Sequence, residues 1–149
     1  EISCSLVGSE MCIRDRDWII KVRNDVPDAP VLVTAGGLLH YFEENKVISL
    51  LRMIGQSGNM EVVFDTVNKK GMAMMQKKYM KQVGHADAQM FFYVDAAKEL
   101  AAKIRGNVKV IAEEPYYRYI PKNGLKLSTK VSMAVSDQFK MVKMIHLKL

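Results

Sequence analysis

Cysteine is almost absent: Cys4 and Cys12 are the whole supply, and both fall within the first sixteen residues. From Asp17 onward there is none, which excludes a disulfide, a thiolate nucleophile or a cysteine metal site from that part of the chain. Histidine is nearly as scarce. His40, His85 and His146 are far apart and form no H-x-x-x-H pair, so no metal centre is expected. The chain also lacks a G-x-G-x-x-G or an equivalent glycine-rich turn. No apolar run approaches the roughly 20 residues needed to cross a bilayer. The short apolar start has no basic region ahead of it, so no signal peptide is expected and a cytoplasmic location is.

What is present reads as globular material. At 149 residues, 49% hydrophobic and 26% charged, the chain suits one domain with a real core. A formal charge of +6 and a pI near 9.3 point either to an anionic partner or to a plain basic surface. Within the opening EISCSLVGSEMCIRDR, the stretch SLVGSEMCIRDR resembles a translated sequencing adapter, so residues 1–16 are expected to be a non-native leader; a short strand and charged linker is the alternative. The leader carries a net charge of −1, leaving +7 on residues 17–149.

The chain is organised around Val31–Leu51, VLVTAGGLLHYFEENKVISLL. Val31 to Ala35 is a continuous apolar run after Pro30, the pattern of a strand covered on both faces. Gly36-Gly37 frees the backbone at its carboxyl end, where open α/β sheets place ligands. Val47, Leu50, Leu51 and Ile54 then follow helical spacing, with Glu43 and Glu44 at the favourable end of the helix dipole.

Asp17 to Val22 predicts a short helical or irregular approach anchored by Trp18 and Ile19, and Asn24 to Pro30 a loop. Met60 to Val67, MEVVFDTV, predicts a second strand with Asp65 and Thr66 at its carboxyl end. Lys69 to Val83 predicts a helix with Met72, Met75, Tyr79 and Val83 on one face and Lys69, Lys70, Lys77, Lys78 and Lys81 elsewhere, stopped by Gly84. Asp95 is the expected N-cap of a helix carrying Ala97, Leu100, Ala101 and Ile104. Val108 to Ala112 predicts a third strand, running into Tyr116-Tyr117-Arg118-Tyr119. Ser128 to Phe139 predicts a helix with Val131, Ala134, Val135 and Phe139 inward. Met141 to Leu149, MVKMIHLKL, is too apolar for an edge and predicts a central strand. Alternating strands and helices give an α/β fold, an open sheet with flanking helices.

Each candidate site residue has a plain structural reading beside the functional one. Gly36-Gly37 borders a ligand or makes a turn; His40 accepts a proton or packs at a helix start. Tyr41 orients a substrate or fills the core, and Asp65 serves the site or caps a loop. Tyr117, with its tyrosine neighbours, closes over an apolar substrate or packs. His85 and His146 read as structural.

The succession VLVTAGGLLHYF, EVVFDTVNK, VKVIAEEPYYRY and VKMIHLKL is similar to the carboxyl-terminal half of class I S-adenosylmethionine-dependent methyltransferases, and more narrowly to the leucine carboxyl methyltransferase and polyketide-type O-methyltransferase superfamily. The resemblance covers about residues 17–149. It implies a partial Rossmann-like sheet made of the family's last four strands, the final one antiparallel and inserted between its two predecessors. It implies S-adenosylmethionine as cofactor, bordered by Thr34, Ala35, Gly36, Gly37 and Leu38, with His40 as a possible base and Tyr41, Asp65 and Tyr117 toward a small-molecule or carboxylate acceptor. Many members carry a glutamate where this chain has Gly36, so only a backbone role carries over there. The family's glycine-rich turn and acidic ribose-binding residue have no counterpart here, so this chain alone is expected to be an inactive piece of an O-methyltransferase. Two other classes compete: a nucleic-acid or anionic-surface binding module using the lysine-rich helix, and a non-catalytic member of the family.

Overall fold

A computed structural model describes residues 17–82, 89–104 and 106–149. Helix α1 (Asp17–Asp25) leads through a loop to strand β1 (Val31–Ala35), a single 3₁₀ turn (Leu39–Tyr41) and helix α2 (Glu44–Gln56). Strand β2 (Met60–Val67), helix α3 (Lys69–Gln82), helix α4 (Ala97–Ile104) and strand β3 (Lys109–Pro115) follow, then helix α5 (Leu127–Gln138) and strand β4 (Val142–Lys148). The leader, Val83, Gly84 and His85, and the side chains of Lys78, Tyr79 and Lys81, lie outside the described residues.

The strands form one four-stranded open sheet in the order β1-β2-β4-β3. β1 runs parallel to β2, whereas β4 is antiparallel to both β2 and β3. The central place expected for the terminal strand is therefore observed. It has a simple cause: Lys143, Ile145 and Leu147 alternate into the interior, and Val142, Met144 and His146 on the other face are half-buried. A strand with so little exposed surface needs a neighbour on each side.

Among the described residues a large core is joined by a smaller cluster of Val67, Met72 and Met90. Val47, Leu50, Leu51 and Ile54 of α2 and Ala97, Leu100 and Ile104 of α4 pack with Met60, Val62 and Phe64 of β2 and Ile145 and Leu147 of β4. Trp18 and Ile19 of α1 join the same cluster, as expected of anchors. Both α2 and α4 thus cover a single face of the sheet, the one bearing Val31, Val33 and Ala35.

This corrects the expectation that β1 is covered on both faces. β1 is an edge strand, and Leu32 on its far face is 57% exposed, with Thr34 exposed beside it. A second correction concerns α5. The helix lies against β3 and β4 but buries Met133 and Ser136, leaving Val131, Ala134, Val135 and Phe139 exposed. The apolar residues of this helix occupy both sides, and spacing alone does not say which side meets the sheet.

A third correction concerns Asp95. Its carboxylate accepts the backbone N–H of Lys69 at 2.9 Å and so caps α3, while the first N–H of α4, on Ala97, donates to Glu113 Oε2 at 3.1 Å. Asn68 completes the start of α3 by accepting the Gly71 N–H at 2.7 Å and donating to the Phe139 carbonyl at 3.0 Å.

Candidate functional site

The carboxyl ends of β1, β2 and β3 share one edge of the sheet. Because Ala35 pairs with Phe64, the bend after β1 reaches the last residues of β2: the Gly37 N–H donates to Asp65 Oδ1 at 2.6 Å across 28 residues of sequence. Gly37 adopts φ +64, which favours glycine, and this turns the chain toward β2. A side chain built at Gly36 or Gly37 would enter open space, with no atom within 4 Å. The backbone here is open to a ligand, and the Gly37 N–H is already taken by Asp65.

His40 sits in the 3₁₀ turn immediately after this bend and is buried, its ring 4.3 Å from that of Tyr41, which is exposed. Burial lowers the imidazole pKa below its ordinary 6.5, while the nearby Asp65 charge pulls the other way. At neutral pH the ring is therefore uncharged and able to accept a proton. The His40 carbonyl receives the N–H groups of Phe91 and Phe92 at 2.8 and 3.2 Å, and the Val94 N–H reaches the Val67 carbonyl at 2.9 Å. The segment through Phe91 and Tyr93 thus runs along the same edge with both rings exposed, while Met90, Phe92 and Val94 are buried.

The structure brings Gly36, Gly37, His40, Tyr41 and Asp65 together, with Thr34 exposed and Ala35 and Leu38 half-buried alongside. Tyr117 is elsewhere. It follows β3, two strands from β2 and so roughly 10 Å across the sheet; its N–H bonds Asp137 of α5 at 3.0 Å and its ring meets Tyr116 edge-on. His146 is half-buried within β4 and bonds Glu61 through Nε2 at 2.8 Å. Lys69, Lys70 and Lys77 of α3 are exposed, while Met72 faces inward.

Two groups escaped the sequence reading. Lys143, 1% exposed, donates through Nζ to Glu113 Oε1 at 2.7 Å and to the Asp95 carbonyl at 2.6 Å. Burial pushes the Glu113 carboxyl up, but the Lys143 and Ala97 hydrogen bonds and the charges of Lys143 and Lys140 outweigh it and hold the group below its ordinary 4.5. The alternation that puts Ile145 and Leu147 inward also puts Lys143 inward, a signal open to a period-two reading. The other is Phe91, whose place depends on a backbone contact to His40 that no local pattern encodes.

A groove of about 470 Å³ lies at the opposite end of the strands, lined by Leu51, Arg52, Gly55, Val108 and Leu149 among others. Among its described lining residues the one cationic group, Arg52, is spent on the carbonyls of Lys103 and Ile104. Among the described residues, no three His, Cys, Asp or Glu side chains are grouped to hold a metal ion, and no helix is long and apolar enough to cross a membrane. Comparison of the chain with family models and with curated proteins finds no match.

Proposed function

We propose that residues 17–149 are the carboxyl-terminal half of a class I S-adenosylmethionine-dependent O-methyltransferase, acting on a small molecule or a carboxylate. One observation carries this reading: a last strand antiparallel between two parallel predecessors, with its sheet's glycine bend at the carboxyl edge. That strand order is the one the sequence resemblance calls for. It arises when the chain turns back after β3 and enters the sheet one place inward rather than extending it.

The residues present fit one wall of a nucleoside site. Gly36 leaves space where a side chain would stand, so a flat ligand can approach the backbone closely, and half-buried Leu38 adds apolar surface. S-adenosylmethionine, when bound, supplies a methyl group already activated on a sulfonium. What this chain adds is placement and proton handling. Asp65 holds the glycine bend in position through the Gly37 N–H, and its charge offsets part of the effect of burial on His40. His40, neutral at physiological pH, accepts the proton of an acceptor hydroxyl. Phe91 and Tyr93 offer apolar surface beside it.

With one wall only, the chain binds the cofactor weakly and turns over little by itself. The test is a titration of the isotope-labelled chain with S-adenosylhomocysteine followed by amide chemical shifts. Millimolar affinity with shifts confined to residues 34–41, 65 and 89–94 is expected. Shifts centred on Leu51, Arg52 and Val108, or none at several millimolar, would overturn the assignment. Micromolar affinity would overturn the one-wall account.

A further inference from the structure

We infer that the outward face of α5 is a two-fold interface with a second copy of this chain. On this helix Leu127, Val131, Val135 and Phe139 are 77, 54, 42 and 57% exposed and recur every four residues along one side. Ser128, Ser132, Ala134 and Gln138 fill the rest of that side, so it carries no charge at all. The charged residues Lys130 and Asp137 lie toward the sheet, half-buried, and Asp137 is occupied by the Tyr117 N–H. Ser132 Oγ is occupied within the helix, donating to the Ser128 carbonyl at 3.0 Å. A helix side facing water ordinarily carries lysine and glutamate; this one is apolar on the side away from its own sheet, while its charged residues stand toward it.

The pattern selects the occupant. Large residues stand at both ends of the stripe and valines in the middle, symmetric about position 133. Antiparallel packing about a two-fold axis at 133 sets Leu127 against Phe139 of the second copy and Val131 against Val135. The small Ser and Ala side chains allow the helices to approach, and the opposed helix dipoles attract. The four residues expose roughly 400 Å², and Tyr119, Ile120 and Leu125 in the segment leading into α5 raise this to about 700 Å², near the ~800 Å² per partner of a stable dimer. A lipid surface is a poorer fit, because an interfacial helix carries basic residues along its polar rim and aromatic anchors such as tryptophan. The side itself carries no basic residue, exposed Lys126 and Lys140 standing only at the helix ends, and Trp18 is packed against the core.

Sedimentation velocity of the full chain under reducing conditions tests this. A dimer is expected in the micromolar range, with the L127E/V131E variant shifted at least tenfold toward monomer and its far-ultraviolet circular dichroism unchanged. Should that variant fail to fold, carbene footprinting of the parent chain decides: labelling of Leu127, Val131, Val135 and Phe139 falls as concentration rises. A parent chain monomeric at 200 μM, a dimer indifferent to L127E/V131E, footprints that do not change with concentration, or binding to anionic vesicles by a monomeric chain would each overturn it.

Discussion

Lys143 is a buried charge whose removal should be costly. Its side chain is buried against the sheet with Nζ on Glu113 and the Asp95 carbonyl, while Glu113 in turn receives the first N–H of α4. Lys143→Met keeps the volume but leaves the partly exposed Glu113 with only the Ala97 N–H, and a loss of about 1–3 kcal/mol in chemical denaturation is expected. The pair also sets an acid limit. With its folded pKa below the unfolded value of 4.5, Glu113 stabilises the protein above that pH, and the contribution disappears as pH falls from 4.5 through the folded value. His40 acts in a separate window. Its folded pKa lies below 6.5, so the unfolded chain binds the extra proton first, and stability declines as pH drops from 6.5 toward the folded value. His40→Gln should flatten the upper part of a stability-against-pH curve and leave the part below 4.5 intact. In Asp65→Asn, imidazole shifts followed by NMR should titrate lower still, because the charge that supports protonation is gone.

Helix α3 meets the rest of the protein at Gly71. A Cβ there would lie 2.5 Å from the Met141 carbonyl oxygen and 3.1 Å from its carbon, and both are backbone atoms that no rotamer change can move. Gly71→Ala should therefore destabilise by about 1–3 kcal/mol despite alanine's better helix propensity, with thermal unfolding as the readout. Sequence spacing alone does not reveal this, and the reason is general to what was and was not legible. β2 and α2 could be read because alternation and the i, i+3, i+4, i+7 stripe are written within one element, and the central place of β4 because its apolar run demanded cover. Contacts between elements were hidden: Gly71 against Met141, Asp95 on Lys69, Glu113 on Ala97. The face of α5 was hidden for a different reason. Met133 and the Leu127, Val131, Val135 stripe are both apolar, and only the packing against β3 and β4 decides between them. At the candidate site the bend at Gly36-Gly37 was legible, whereas its tie to Asp65 required knowing that β1 and β2 are adjacent and in register.

For the whole molecule the decisive feature is that, among the described residues, β1 pairs on one side only. Val31 donates its N–H to the Asn59 carbonyl at 3.2 Å, toward β2, so by alternation the N–H and C=O groups of Leu32 and Thr34 point away from the sheet. Among the described residues no strand lies on that side. Nor is the edge protected, for VLVTA contains no charge, proline or bulge. Two copies can close this edge antiparallel about Val33, with Leu32 opposite Thr34 and four backbone hydrogen bonds formed. An edge contact of this kind, combined with a two-fold contact through α5, gives each chain two separate self-complementary faces, and a molecule using both associates beyond the dimer. Turbidity or light scattering at rising concentration should therefore show assembly beyond the dimer. Thr34→Pro removes an outward N–H without touching the β1–β2 ladder, and Leu32→Lys adds charge at the same edge; each should suppress the larger species while the dimer persists. If scattering rises equally in these variants, the assembly runs through another surface and the edge is inert.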